Sequence, residues 1–472
     1  MLRALVPADA ATAGRGAACS RERACAEGLT CLSGLHAFGG YCASAGCAAC
    51  EGACVGTPRG ELCMAPCARD ADCRASEGYV CDPTWKACVM PNAAAIVPRT
   101  CPAARGIGRD PQFAPSAALV DANESSAVAT ADGGLVVVHA KGSSLGVTHV
   151  DIAGRAAQRA TFEAASSIAN PFLARDASGT LYATWSSTAG AMLSKSKDGV
   201  QWSAPLTIDP CSDCRSIVVA GASAVHAMFA HEGMRVRTSR DGGNQFGAAS
   251  TILGGYGNAT VGVDGRMHVV AIDGSPLGAF GSANQRIQYS AGFGKPITVS
   301  RRDETLPFYF ANPSIAVDSR RKWIYIAYVR GGRDAVWDIV LAASKDGGRT
   351  WKRSRIGDDP PCAIHMVPNL ALDPRTGTLH LAWYDSRGEQ PRFAHATCTP
   401  GLAKCTQLGR INDVPFATLS TVRDNATWIG DYETLIVDDK RRMLHAVWTQ
   451  PVEEAGKVVS RVFHAKAKLP LR

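Results

Sequence analysis

The chain has 472 residues, of which 46% are hydrophobic and 47 are glycine, a balance that suits short elements and many turns rather than disorder. Fifty basic residues against 42 acidic ones leave a formal charge of +8, spread without a basic block, which argues against nucleic-acid binding. No apolar run approaches the ~18 residues that a membrane helix needs.

Residues 1–18 mix Ala, Gly, Arg and Asp with no apolar stretch of export-signal length. Gly16-Ala17-Ala18-Cys19 also lacks the large apolar residue that precedes a lipidated cysteine, so an unstructured or remnant N-terminus is expected here. Thirteen of the 18 cysteines then fall between Cys19 and Cys101, the density of a disulfide scaffold. Their phrasing repeats loosely. Cys19, Cys25, Cys31 and Cys42 carry Glu27-Gly28 before the third, and Cys67, Cys73, Cys81 and Cys88 carry Glu77-Gly78 before the third. Cys47-Ala48-Ala49-Cys50 and Cys63-Met64-Ala65-Pro66-Cys67 have zinc-ligand spacing, but His36 is the only histidine there and 13 thiols exceed one or two closed sites. The expectation is a disulfide-rich region over 19–89, with one cysteine of the odd set free or paired to the propeller. Disulfides place the chain outside the cell or on its surface, although no export signal is visible. Residues 90–112, with Pro98, Pro102 and Gly106, read as a linker.

Beyond it one short apolar phrase recurs seven times, as in Leu379-His380-Leu381-Ala382-Trp383 and Leu444-His445-Ala446-Val447-Trp448. The copies begin at Leu135, Leu181, Val225, Met267, Ile324, Leu379 and Leu444, at intervals of 46, 44, 42, 57, 55 and 65 residues. A strand-like motif repeating every ~40–50 residues marks a propeller or solenoid, because one unit cannot bury its own faces. The spacing predicts an all-β, seven-bladed β-propeller over 113–472, with the phrase as the second of four strands in each blade. Inner strands are expected at 126–130, 171–175, 216–220, 260–264, 314–318, 369–373 and 432–438. Residues 113–120, extended and apolar, can complete the last blade and leave no open edge. His226, His268, His380 and His445 share one strand position with Tyr182 and Tyr325, so they are read as packing residues rather than metal ligands.

A second motif keeps the same phase. Ser344-Lys345-Asp346-Gly347-Gly348-Arg349-Thr350-Trp351 has close copies at 239–246 and, one residue shorter, at 196–202, with a remnant at 290–294. Asp and Gly suit a tight hairpin turn, and the aromatic packs beneath it. These phrases resemble the Asp box of the sialidase-like superfamily. Trp383-Tyr384-Asp385-Ser386-Arg387, Trp428-Ile429-Gly430-Asp431-Tyr432 and Cys211-Ser212-Asp213-Cys214-Arg215 also resemble phrases of that group, so the likeness runs over about 113–469. Cys398 and Cys405 stand where the sixth repeat is due a box and are expected to bridge that hairpin, as Cys211 is expected to pair with Cys214. The enzymes of the superfamily have six blades, which makes six the alternative count.

The resemblance implies a tyrosine nucleophile prompted by a glutamate, an aspartate acid/base, and three arginines on a substrate carboxylate, a task suited to the planar guanidinium fork. Tyr432-Glu433-Thr434-Leu435 is similar to the phrase around that nucleophile. Tyr432, Asp385 and Glu433 are therefore the catalytic candidates, with a buried structural tyrosine as the alternative for Tyr432. Arg215, Arg330 and Arg387 are candidates for the clamp, and Tyr384 and Asp431 for ligand contact. The family's R-I-P phrase is missing, and Asn170-Pro171, Asn312-Pro313 and Pro368-Asn369 offer amides in its place. The loops on the face opposite the boxes would also gather His231, Glu232, Arg301, Arg302, Asp303, Glu304, Arg333, Asp334 and His365, with long segments at 300–312 and 411–431. One reading is a secreted or cell-surface propeller that recognises a glycan or other surface polymer without the full sialidase catalytic set. The alternative is an exo-sialidase-type glycoside hydrolase. Neither needs a metal, a cofactor, nucleic acid or a transmembrane segment.

Overall fold

The computed structural model describes residues 13–19, 24–32, 41–57, 60–75, 79–83, 85–89, 108–211, 214–230, 233–255, 257–273, 286–301, 304, 306, 312–331, 337–356, 365–385, 391–417, 429–430 and 432–471. Among these, residues 117–468 supply seven four-stranded antiparallel sheets. The first holds Glu124–Ala129, Leu135–Lys141, Ser144–Val150 and Ala156–Glu163, side by side in chain order. Five more repeat that order from the inner strands Ala169–Arg175, Arg215–Ala220, Gly257–Val261, Ser314–Asp318 and His365–Leu372. The last sheet combines Thr434–Asp438, Met443–Glu454 and Lys457–Lys468 with Ala117–Asp121 from the other end of the ring. Each inner strand packs on the next, and Thr434–Asp438 returns to Glu124–Ala129. This cyclic succession of sheets is an all-β propeller.

The recurring phrase falls on the second strand of every sheet. Leu181–Ser187 and Leu379–Asp385 are buried along their whole length, because such a strand has a neighbour on both edges and a sheet against each face. That environment selects continuous apolar runs rather than alternation. Outer strands differ, and Lys352–Arg355 is mostly exposed. The second position of the phrase is a buried ring in six of the seven copies (Val136 in the first), and its histidines reach across to the third strand. His268 Nδ1 meets the Tyr289 hydroxyl at 2.7 Å, His226 Nδ1 meets the Thr238 hydroxyl at 2.9 Å, and His445 Nδ1 lies 3.0 Å from His464 Nε2.

The three Ser-x-Asp turns share one hydrogen-bond pattern. The Ser239 hydroxyl donates to Asp241 at 2.7 Å and accepts the Gly243 amide at 2.8 Å, while the Asn244 and Gln245 amides donate to Asp241 Oδ1. Ser196 with Asp198, and Ser344 with Asp346, repeat it. These turns also lock each sheet to the one before. Gly348 sits at φ +92° in the left-handed region, and a Cβ there would come within 2.6 Å of the Tyr289 ring on the preceding sheet, so glycine is required twice over. In the sixth sheet, which lacks a box, Cys398 and Cys405 are bonded to one another, and the Gly401 amide donates to the Tyr325 hydroxyl of the fifth at 2.9 Å.

Three expectations need correction. The fourth inner strand runs 257–261 rather than 260–264, because Gly262 to Arg266 form a turn closed by the Gly262 amide on the Arg266 carbonyl at 2.8 Å. Residues 13–18 are not a loose remnant. Ala13 bridges to Cys25, and Arg15 Nη1 donates to the Cys63 carbonyl at 2.7 Å and the Ser44 hydroxyl at 2.9 Å. The end of the expected linker is likewise anchored, since the buried Asp110 carboxylate meets His395 Nδ1 at 2.7 Å.

The N-terminal cysteines form six disulfides: Cys19–Cys31, Cys25–Cys42, Cys47–Cys54, Cys50–Cys63, Cys67–Cys81 and Cys73–Cys88. Each consecutive group of four is thus joined first to third and second to fourth. The thiols with zinc-like spacing are all consumed in these bonds, around a small core of Tyr41, Val55, Met64, Tyr79 and Val89. Cys101 and Cys362 lie outside the described residues.

Candidate functional site

The inner strands enclose a cavity of about 220 Å³ on the propeller axis. Its walls include Ser126 from the first sheet, Phe172 from the second, Asn258 and Thr260 from the fourth, Asn312 and Ser314 from the fifth, Asn369 from the sixth, and Tyr432 and Thr434 from the seventh. Among the described lining residues there is neither arginine nor lysine. The site therefore offers amides, hydroxyls and two aromatic rings, Phe172 and Tyr432, with Glu433 also in the wall, a set without a cation that suits a neutral polar ligand.

Two irregular strands aim these groups. Asn170 sits at φ +54°, a region that Asn tolerates better than most residues, beside a register shift between Ala169 and Phe172. Its amide N–H donates to Glu124 at 2.7 Å, and its side-chain oxygen accepts the Tyr432 hydroxyl at 3.3 Å. Tyr432 is 4% exposed and meets Phe172 edge-on, with ring centroids 5.9 Å apart. On the sixth sheet a similar shift between Met366 and Asn369, with Val367 at φ +51°, turns Asn369 toward the seventh. Asn369 donates to the Glu433 carbonyl at 2.5 Å and accepts the Leu435 amide at 3.0 Å.

Glu433 faces another partner. Its carboxyl touches the Tyr384 hydroxyl and accepts the Thr449 amide at 3.0 Å, while the Tyr384 hydroxyl also lies 2.6 Å from the Thr449 carbonyl. Burial pushes Glu433 well above the usual carboxyl range; hydrogen bonds from Tyr384 and Thr449 oppose this, and the nearby Glu124 charge adds to it. Burial and Glu433 likewise raise Tyr384 well above an ordinary phenol. The Tyr384 hydroxyl has one proton for two acceptors, so a Glu433 kept neutral by its burial would donate to Tyr384 and leave the Tyr384 proton for the Thr449 carbonyl. The tyrosine that meets Glu433 is thus Tyr384.

The other candidates are dispersed. Asp385 is fully buried, with Oδ1 3.7 Å from His365 Nε2 across the sixth sheet. Arg330 is the penultimate residue of the strand Trp323–Gly331 and pairs with Asp338 at 3.1 Å, in the fifth sheet and away from the axial lining. Arg215 opens the inner strand Arg215–Ala220 and is also absent from that lining. Cys211 and Cys214 just before it are disulfide-bonded. Arg387 and Asp431 lie outside the described residues, as do His231, Glu232, Arg302, Asp303, Arg333 and Asp334. The structure therefore brings two of the three catalytic candidates, Tyr432 and Glu433, to the axial lining, but the Glu433 carboxyl meets Tyr384 rather than Tyr432, and Asp385 is absent from that lining. Glu124 and Asn258 were not anticipated as parts of the site. Asn258 has no proline beside it to flag it, unlike Asn170, Asn312 and Asn369.

Fold and site define a propeller whose axis is lined with amides and hydroxyls. No protein-family model matches the chain, and no curated protein matches it. Similar solved structures include RRP9 WD40 repeats, with a TM-score of 0.48 and 9% identity over 75% of this chain and 98% of that one. Another is YCF48 bound to D1 peptide, with a TM-score of 0.48 and 12% identity over 77% of this chain and 98% of that one. A third is Trypanosoma rangeli sialidase in complex with the inhibitor DANA, with a TM-score of 0.39 and 13% identity over 74% of this chain and 59% of that one.

Proposed function

We propose that residues 113–472 form a closed seven-bladed Asp-box propeller that binds a polar segment of a glycan or other surface polymer at its axis, without the full sialidase catalytic set. The observation that carries this reading is the axial cavity, lined by Ser126, Asn258, Thr260, Asn312, Asn369 and Tyr432 with no cation among its described residues. A sialoside's carboxylate needs guanidinium partners, and Arg330 is committed to Asp338 instead. Residues 19–89 are the disulfide-rich part of the same secreted or cell-surface chain. The six disulfides there support an oxidising compartment. Tyr432 in the cavity wall keeps the hydrolase reading as the second one. A glycan array on the full chain, run beside a fluorogenic sialoside assay, separates the two. Binding without release supports recognition, whereas turnover that Tyr432→Phe abolishes supports the hydrolase.

A further inference from the structure

The axial lining carries no cation among its described residues, yet four guanidinium groups collect on the outer half of the fifth sheet. Arg353 and Arg355 stand two apart on the strand Lys352–Arg355 and so share a face. Arg330 lies opposite Asp338 in the strand pairing, and Arg301 and Glu304 come from the segment that leads into this sheet. Apart from Asp338, these residues line a recess of about 180 Å³.

Among the described residues at this recess, four arginines stand beside two carboxylates, Glu304 and Asp338, and both carboxylates are occupied. Asp338 takes Arg330 Nη2 at 3.1 Å and Arg355 Nη2 as well, so one buried carboxylate fixes two guanidinium planes. Glu304 accepts the Tyr328 hydroxyl and the Arg301 amide, each at 2.8 Å. Arg353 Nε is spent on the Val299 carbonyl at 2.9 Å. Nε of Arg330 is buried with no acceptor among the described residues, and the Arg355 side chain stays 57% exposed at the rim. A buried donor without an acceptor is unfavourable, and a guanidinium pair held in place by a shared carboxylate is preorganised for an oxygen anion.

We propose that this recess binds the oxoanion substituent, sulfate or carboxylate, of an acidic polysaccharide. The inference rests on the reading of the propeller as a glycan binder and adds a charged subsite away from the neutral axis. It is tested by binding of the full chain to immobilised dextran, dextran sulfate and carboxymethyl-dextran at matched ionic strength. The expected result is retention on at least one charged dextran but not on the neutral one, weakened about tenfold or more by Arg355→Gln, the loss of one charge-assisted hydrogen bond. Arg349→Gln, which removes an exposed charge from the Ser-x-Asp turn of the same sheet, should stay within about twofold. Inorganic sulfate should compete better than chloride of equal ionic strength, and comparing the two charged supports identifies the substituent. Equal weakening by Arg349→Gln and Arg355→Gln would mean diffuse charge attraction and overturn the proposal, as would retention on neither charged support. Arg330→Gln is judged only if its melting temperature matches wild type; the exposed Arg355 keeps the test decisive in any case. A chain that binds neutral glycans on the array but neither charged dextran sinks this subsite alone. Charged-dextran binding that survives loss of axial binding, as in Asn258→Leu, leaves the subsite standing.

Discussion

The Thr434 hydroxyl accepts the backbone N–H of Ala127 at 3.2 Å, tying the last inner strand to the first across 307 residues of chain. The same device recurs around the axis. Ser126 accepts the Leu173 amide at 3.1 Å, Ser314 the Leu370 amide at 3.0 Å, and Asn369 the Leu435 amide at 3.0 Å. Each short polar side chain serves the strand of the following sheet. Inner strands lie too far apart to form a ladder with one another, so their inward amides need these acceptors.

Thr434→Val keeps the shape and removes the acceptor, leaving the Ala127 amide unpaired. Stability should fall by about 1–3 kcal/mol in urea unfolding, while Thr434→Ser should stay near wild type. Equal stability of the valine and serine variants would show that the bond does not help close the ring.

A buried ion pair joins the sixth and seventh sheets. Arg442 donates to Asp373 at 2.6 Å and 2.8 Å, and both side chains are nearly inaccessible. Burial alone would raise the Asp373 carboxyl, but hydrogen bonds from Arg442 and Thr376 outweigh it and hold it well below the usual range. Arg442→Met should destabilise by about 3–5 kcal/mol, because it strands a buried carboxylate. Adding Asp373→Leu should recover part of that loss in the same denaturation experiment. A double variant no better than the sum of its singles would contradict this account.

Glu433 and Tyr384 make opposite predictions for two conservative changes. A neutral Glu433 is matched by glutamine, so Glu433→Gln should cost less than about 1 kcal/mol. Tyr384→Phe removes the donor to the Thr449 carbonyl and should cost about 1–3 kcal/mol. If Glu433→Gln proved the more damaging by thermal melting, the carboxyl would be ionised and the proton order reversed.

Much of the core was legible because a buried second strand selects an apolar run, with a polar-tipped ring at its second place in six of the seven copies. The turns were legible for a related reason: Ser, Asp and Gly at fixed offsets satisfy one small hydrogen-bond network. The cysteine density announced a disulfide region but not its connectivity, since spacing alone leaves many pairings open; the structure joins first to third and second to fourth in each group of four. The site was less legible. Arginine clamps are set by where a side chain points, and Arg330 points along its own sheet to Asp338. Sequence adjacency also misled at Tyr432 and Glu433, whose side chains meet different sheets, Asn170 on the second and Tyr384 on the sixth.

Acid should loosen the propeller through its buried histidines. Burial lowers His139 and His445 to about 4 and His380 and His464 to about 3, the last two helped by the rings of His395 and His445 beside them. These groups are neutral when folded, whereas the unfolded chain takes up protons below about 6.5. Stability is therefore complete above that pH and declines as pH falls from about 6.5 toward 4. Melting temperatures should drop steadily across this window, and His464→Gln should flatten the drop. A melting temperature that stays constant between pH 7 and pH 4.5 would refute the assignment.

The most direct test of axial recognition compares wild type with Asn258→Leu on a glycan array, alongside a fluorogenic sialoside assay of wild type. Asn258 lines the cavity and is half-buried, so leucine removes a polar contact without opening the core. The account predicts that wild type binds a defined set of glycans, that Asn258→Leu loses them, and that wild type releases no sialic acid. Glycan binding untouched by Asn258→Leu, or sialoside turnover by wild type that Tyr432→Phe abolishes, would contradict it.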